Sequence, residues 1–426
     1  MIKLFKNIIN LSLTGKIALI HSFLISFFYI IRKNNLGYDE RTYILASLFK
    51  DNEQVDIDEY SYAPIFIIKF LKILIYGLRQ FENFDLNSYR TTESMVIFRV
   101  ILVLLILIIS YLIFKISCKL QTTNKNYNLE YSIFSVSLIL SVPCIFGKHL
   151  FSLISLLSIP ITLSIYYLLI PTDDDNSNNT CGSGYFNLFI SGSLLSIINL
   201  FKYESISLFL FIFLQYLFII FLKREKEHIH KLFIFTSGYI LLFIPQFIIY
   251  ALNYQLTEPP PIFLTSPYTG SGWVDGPSKY LMECYWQRNE SNSIINCILS
   301  KEKLVPIVSS FAMNIKQLSQ AVFSIDAFPL YLSFLPCGGF LLMIKEKKFI
   351  DLFIFSNALV LSFLAYSIFE IEIRYALYAV VGLSLYSVFV INNIKKFEII
   401  KPVLKPILLI LFVTNYFYLL FSHSIY

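Results

Sequence analysis

Eleven apolar runs of near membrane length, separated by polar connections whose lysines and arginines collect on alternate sides, limit what this chain can fold into. The runs cover 17–31, 95–116, 131–146, 149–170, 185–201, 205–222, 232–252, 326–344, 350–369, 375–391 and 403–421. About twenty apolar residues carry an α-helix across the hydrocarbon core. A segment in lipid must also satisfy its own backbone, which leaves helices as the solution for runs like these. The sequence therefore predicts an all-α polytopic membrane protein with about eleven transmembrane helices. Composition agrees: 56% of residues are hydrophobic and 15% charged, against about 45–50% and about 25% in soluble domains. With 42 Phe and 29 Tyr but 14 Gly, the spans are expected to be bulky and close-packed small-residue seams few.

Basic residues orient the runs. Lys3, Lys6 and Lys16 precede the first, Lys115, Lys119 and Lys125 follow the second, and Lys223-Arg224-Glu225-Lys226 closes the sixth. Lys345, Lys347, Lys348, Lys395, Lys396 and Lys401 mark the later inner connections. By the positive-inside rule the N-terminus is inside and, after eleven crossings, the C-terminus outside. The formal charge of +6 is explained by these inner loops, so nucleic-acid binding is not supported. The first run is short, and Arg32 and Lys33 are placed to snorkel at its far end. It lacks a small-residue cleavage site and reads as a retained anchor. In the apolar stretch from Ala63 to Leu78 and just beyond it, Lys69, Lys72 and Arg79 share one helical face, which suits an outer interfacial helix rather than a span. The very short turn Gly147-Lys148-His149 makes 131–146 and 149–170 an antiparallel hairpin.

This divides the chain into an N-terminal transmembrane module (1–252) with a first outer loop (32–79), a large extracytoplasmic loop (253–325) and C-terminal transmembrane helices (326–426). The large loop, with Pro259-Pro260-Pro261, reads as an ordered loop or small cap. Its segment from Tyr268 to Gly276 offers either an acceptor-binding surface of aromatic faces or a packed cap with glycines in tight turns. The six Cys show no metal-ligand spacing, and only Cys284 and Cys297 share a polar loop open to oxidation. A bridge there would contribute roughly 3 kcal/mol. Asp173-Asp174-Asp175 reads as a solvated connector without a completed cation shell. Asn178-Asn179-Thr180 and Asn289-Glu290-Ser291 match the glycosylation acceptor pattern, the second alone on the outer side. No internal repeat is present.

Under this topology the outer connections collect Asp39, Glu40, Lys148, His149, Lys202, Glu204, Glu370, Glu372 and Arg374. Ionisable residues at span ends are costly, and a mixed-sign cluster drawn from four connections is a candidate site. A carboxylate beside cations suits a reaction in which one deprotonates an acceptor hydroxyl while the others stabilise a phosphate leaving group.

The order of these features resembles the GT-C superfold of membrane glycosyltransferases, in particular the group that includes protein O-mannosyltransferases and the lipid A aminoarabinose transferase. Tyr38-Asp39-Glu40-Arg41-Thr42-Tyr43 with Ala46 resembles its first outer loop, and Tyr62-Ala63-Pro64 its Pro-containing interfacial helix. Arg99 in Phe98-Arg99-Val100, Ser141-Val142-Pro143, Phe201-Lys202-Tyr203-Glu204 and Glu372-Ile373-Arg374-Tyr375 resemble later points of the pattern. The resemblance covers most of the first 220 residues and one late point; the 253–325 loop is unmatched. It implies that Asp39 is the general base, with Glu40 an alternative base or an orienting neighbour. Arg374 and Lys202 would hold the phosphate of a polyprenyl-phosphate sugar donor, Arg offering a bidentate fork. Tyr43, Lys148, His149, Glu204, Glu372 and Tyr375 would line the substrates. The family usually places an acidic residue after the Ser-Pro turn; Lys148-His149 stands there instead, so a divalent metal is not supported.

The expected partners are a lipid-linked sugar donor, membrane lipids and a glycan, lipid or protein acceptor. A polymerase or ligase of lipid-linked oligosaccharides is the alternative, with its chemistry on the large loop. A transporter would need ionisable residues near the bilayer midplane. Low Gly with abundant Lys, Ile, Asn and Phe tilts the setting toward a bacterial inner membrane over the endoplasmic reticulum.

Overall fold

The computed structural model describes residues 11–32, 62–76, 92–122, 128–142, 153–170, 181–198, 206–223, 226–253, 280, 284, 294–324, 327–348, 352, 355–357, 359, 363, 377–394 and 401–422. Every element among them is helical. In chain order these are α1 (Leu13–Arg32), α2 (Tyr62–Tyr76), α3 (Thr92–Thr122), α4 (Leu129–Ser141), α5 (Leu153–Leu169), α6 (Cys181–Ile198) and α7 (Ile206–Lys223). There follow α8 (Lys226–Asn253), α9 (Ile294–Leu299), α10 (Lys301–Val322), a 3-10 turn (Leu330–Leu332), α11 (Phe334–Lys345), α12 (Leu377–Asn392) and α13 (Lys401–Ser422). Stretches of α1 (Leu13–Ile31), α3 (Arg99–Gln121) and α8 (Glu227–Gln246) are long and apolar enough to cross a membrane, and seven shorter apolar helices accompany them. The described residues thus form an all-helical frame of membrane-spanning character.

Local chemistry explains the helix ends. The Asn128 side chain accepts from the Glu130 N–H and caps α4, with Glu130 in the first turn where the helix dipole favours a carboxylate. The helix stops at Ser141 because Val142 precedes Pro143 and is held extended, at φ −83° and ψ 111°. Helix α2 starts at Tyr62, with Pro64 in the first turn where its missing N–H costs nothing. Serines inside the apolar helices bond carbonyls one turn back, as Ser22 Oγ does to Ala18 O (2.9 Å) and Ser135 Oγ to Tyr131 O (2.8 Å). This is how a hydroxyl is tolerated inside an apolar helix.

Side-chain contacts set the relative directions. Helices α1 and α4 run together: Ser12 and Thr14 donate to Glu130 at one end, His21 meets Ser137 midway, and Tyr29 OH donates to Leu140 O at the other. Helix α13 runs the same way, from Lys405 at Glu130 to Phe412 against His21 and Tyr416 against Phe28. Helices α3, α5 and α12 run oppositely. Ser117 and Gln121 of α3 meet Ser132 and Asn128 at the start of α4. Asn392, at the end of α12, accepts from Ser117 (2.8 Å) and Gln121 (2.7 Å). Lys119 Nζ donates to Tyr167 O at the end of α5. Lysines crowd one end of this bundle, where Lys405 pairs with Glu130, Lys119 lies over Tyr167 and Lys348 over Phe389.

A second seam joins α6 to α8. A Cβ on Gly192 would collide with Phe235 O, and one on Gly238 with Phe189 O, so the two backbones touch. Further along both helices the Gln246 amide donates to Ser196 O and Oγ, which makes them parallel. Helix α7 returns against α8, Phe209 stacking on Tyr239 and Tyr216 meeting Phe235 at a tilt. Gly339 of α11 touches Tyr386 O of α12 in the same way. The scarce glycines are thus spent on specific helix crossings. Gly238→Ala should gain about 1 kcal/mol from helix propensity alone. The crossing reverses that sign, and a net loss of about 1–3 kcal/mol is expected from overpacking, read as a lower unfolding midpoint in detergent.

Candidate functional site

Asp39, Glu40, Tyr43, Lys148, His149, Lys202, Glu204, Glu372, Arg374 and Tyr375 lie outside the described residues, as does Glu370. So do 173–175, 268–276 and both glycosylation patterns. What is described is the helical frame from which their connections depart.

At the end opposite the lysines, α1 and α4 finish side by side. Tyr29 OH donates to Leu140 O at 3.2 Å, and both residues are buried. The Asn415 amide of α13 donates to Ser141 O, and its Oδ1 accepts from Tyr331 OH at 2.6 Å. Four segments are therefore tied around the Ser141-Val142 turn, one of the points of sequence resemblance. Helices α5 and α12 begin at this same end, joined by Ser158 Oγ and Tyr378 OH at 2.7 Å. Connection 33–61 leaves from the end of α1, connection 143–152 joins the end of α4 to the start of α5, and 364–376 leads into α12. Three of the four connections that carry the candidate residues thus attach to helix ends packed at one end of the bundle. The fourth, 199–205, joins α6 to α7.

Arg99 is exposed on α3, on the same stretch of helix surface as Val96, Val100, Val103 and Leu104. Among the described residues no group of three or more His, Cys, Asp or Glu could hold a metal ion.

Several polar residues inside the apolar runs escaped sequence reasoning, which looked at run ends. His21 is buried, its Nε2 3.1 Å from Phe412 O and its Nδ1 2.7 Å from Ser137 Oγ. A carbonyl only accepts, so Nε2 carries the proton and Ser137 donates to Nδ1. Both ring nitrogens are satisfied, which makes His21 a bond between α1, α4 and α13 rather than a free base. Asn357 is fully buried and its amide donates to Gln215 Oε1 at 2.9 Å. The signal that would have found these residues is a lone polar side chain within an apolar run.

In the large loop Cys284 and Cys297 form a disulfide across 13 positions, with Cα atoms 5.5 Å apart. Bridges of this kind form in oxidising compartments. Cys284→Ser is expected to remove roughly 3 kcal/mol from the loop's stability. Limited proteolysis should then cut 285–296 faster, with reductant producing the same change in the parent. Comparison with protein-family models, curated proteins and solved structures finds no match to this chain.

Proposed function

We propose that the chain is an integral membrane glycosyltransferase that moves a sugar from a polyprenyl-phosphate donor to a hydroxyl acceptor at the outer leaflet, with inversion. Eleven crossings place the basic end inside and the C-terminus outside, in a bacterial inner membrane or, in a eukaryote, the endoplasmic reticulum. The observation that carries the reading is the joining of helix ends at Tyr29–Leu140, Asn415–Ser141 and Ser158–Tyr378. These bonds gather the attachment points of connections bearing Asp39 and Glu40, Lys148 and His149, and Glu372 and Arg374.

In the proposed step Asp39 takes the proton of the acceptor hydroxyl as its oxygen bonds to the anomeric carbon. The bond from that carbon to the phosphate oxygen breaks on the opposite face, and polyprenyl phosphate leaves with its charge held by Arg374 and Lys202. Glu40 orients Asp39 or replaces it, while Tyr43, Glu204, Glu372 and Tyr375 position the substrates. A fixed helical frame holding both substrates supplies much of the rate through proximity.

The test is sugar transfer by purified protein in vesicles containing a polyprenyl-phosphate sugar, with product and released polyprenyl phosphate both measured. Transfer with stoichiometric release supports the reading; absence of both across hexose and pentose donors overturns it. A polymerase or ligase of lipid-linked oligosaccharides is the second reading, favoured by the order within the large loop, where a disulfide and α10 are present. It predicts elongation of a lipid-diphosphate glycan instead.

A further inference from the structure

Helix α10 differs in kind from the apolar helices around it. Its 22 residues carry Leu304, Val305 and Val308 exposed at 38%, 59% and 57%, with Ala312 also exposed. The spacings of three, four and seven put Val305, Val308 and Ala312 on one stripe, with Leu304 one turn before Val308. A neighbouring stripe, Asn314, Leu318 and Val322, is buried against the protein. The remaining face exposes Glu302, Ser309, Lys316, Gln317 and Gln320, with Met313 the apolar exception among the described residues. One side of α10 is therefore held by the bundle, one is wet, and an apolar flank between them meets neither.

The place of α10 determines what covers that flank. Phe328 N–H donates to Val322 O, so the chain turns directly from α10 into the 327–333 segment. Tyr331 there bonds Asn415 at the end of the bundle opposite the lysines, and α11, an apolar helix, follows at Phe334. A helix whose C-terminal end abuts the mouth of an apolar span ends at the membrane surface, and if it runs along that surface its N-terminal half, with the exposed flank, also meets the acyl chains.

We infer that α10 lies along the outer leaflet and docks its Leu304, Val305, Val308 and Ala312 flank into lipid, with its polar face toward water. Surface-lying helices of this kind sink their apolar face about 5–10 Å into the headgroup–acyl boundary. The lipid surface is the occupant, and this placement does not depend on which reaction the protein performs. It would anchor the large loop beside the helix ends where the candidate connections depart.

Fluorescence quenching decides it. In the full chain with Trp273→Phe and Trp286→Phe, a single tryptophan is placed at Val308 or at Gln317, nine positions and two and a half turns away on the opposite side. Both variants are reconstituted in vesicles whose acyl chains carry bromine. Val308→Trp is expected to be quenched several-fold more than Gln317→Trp. Equal weak quenching overturns the inference, because the flank is then in water. Equal strong quenching overturns it as well, because the helix is then immersed. Weak quenching at both positions with crosslinking between copies through Val308→Cys assigns the flank to a second chain and also overturns it.

Discussion

Asp39→Asn is expected to lower sugar transfer at least a hundredfold while leaving donor binding nearly intact. Asparagine keeps the size of the side chain and removes its capacity to accept a proton, so the loss falls on the transition state. A hundredfold corresponds to about 2.7 kcal/mol of barrier. Glu40→Gln separates its two roles. A comparable loss makes Glu40 part of the proton-transfer pair, whereas a change confined to KM makes it a neighbour that orients substrate. Donor binding is measured directly with the variant proteins, since an undetected loss of binding would mimic a loss of chemistry. If both variants retain full transfer, the acidic loop is solvated structure. The active site then moves to the 253–325 loop, and the polymerase reading takes precedence.

Lys405→Met is expected to destabilise the bundle by about 3 kcal/mol, the second large effect. Lys405 Nζ lies 2.8 Å from Glu130 Oε1, their side chains 19% and 10% exposed. The same oxygen accepts from Ser12 (2.8 Å) and Thr14 (3.0 Å). One carboxylate therefore ties the starts of α1, α4 and α13 together. Removing the lysine leaves a buried charge with two neutral donors, and that uncompensated charge is the source of the cost. The double variant Glu130→Gln with Lys405→Met should recover much of the loss, because neither desolvated charge remains. Unfolding midpoints in one detergent, compared across the two single variants and the double, give the coupling. Additive losses would show that the pair is an exposed contact of little worth.

Much of the frame was legible in the sequence because lipid is a simple solvent. It imposes one rule, apolar side chains outward and backbone bonds satisfied within the helix. The runs therefore marked α1, α3, α4, α5, α6, α7, α8, α11, α12 and α13 without reference to their neighbours. The positions of Lys115, Lys119 and Lys348 foretold the basic end for a similar reason, a cation being costly anywhere but at a helix terminus. Helix α10 was not foreseen within the large loop, since its period serves three environments at once.

The candidate site was legible only as residue types in an order: carboxylates in one connection, cations in others, with nothing in the spacing to say which helix ends meet. Pairing is a tertiary property. That Tyr29 reaches Leu140, that Asn415 reaches Ser141 and that Ser158 reaches Tyr378 depends on residues 111, 274 and 220 positions apart. The glycine crossings make the same point, since Gly192 and Gly238 matter only because each faces the other helix's backbone. Hydrophobicity along a chain is a local quantity and determined that these segments form apolar helices, three of them among the described residues long enough to cross a membrane. Which helices touch is determined by complementary polar groups and small residues, whose energies exist only once distant segments are brought into contact.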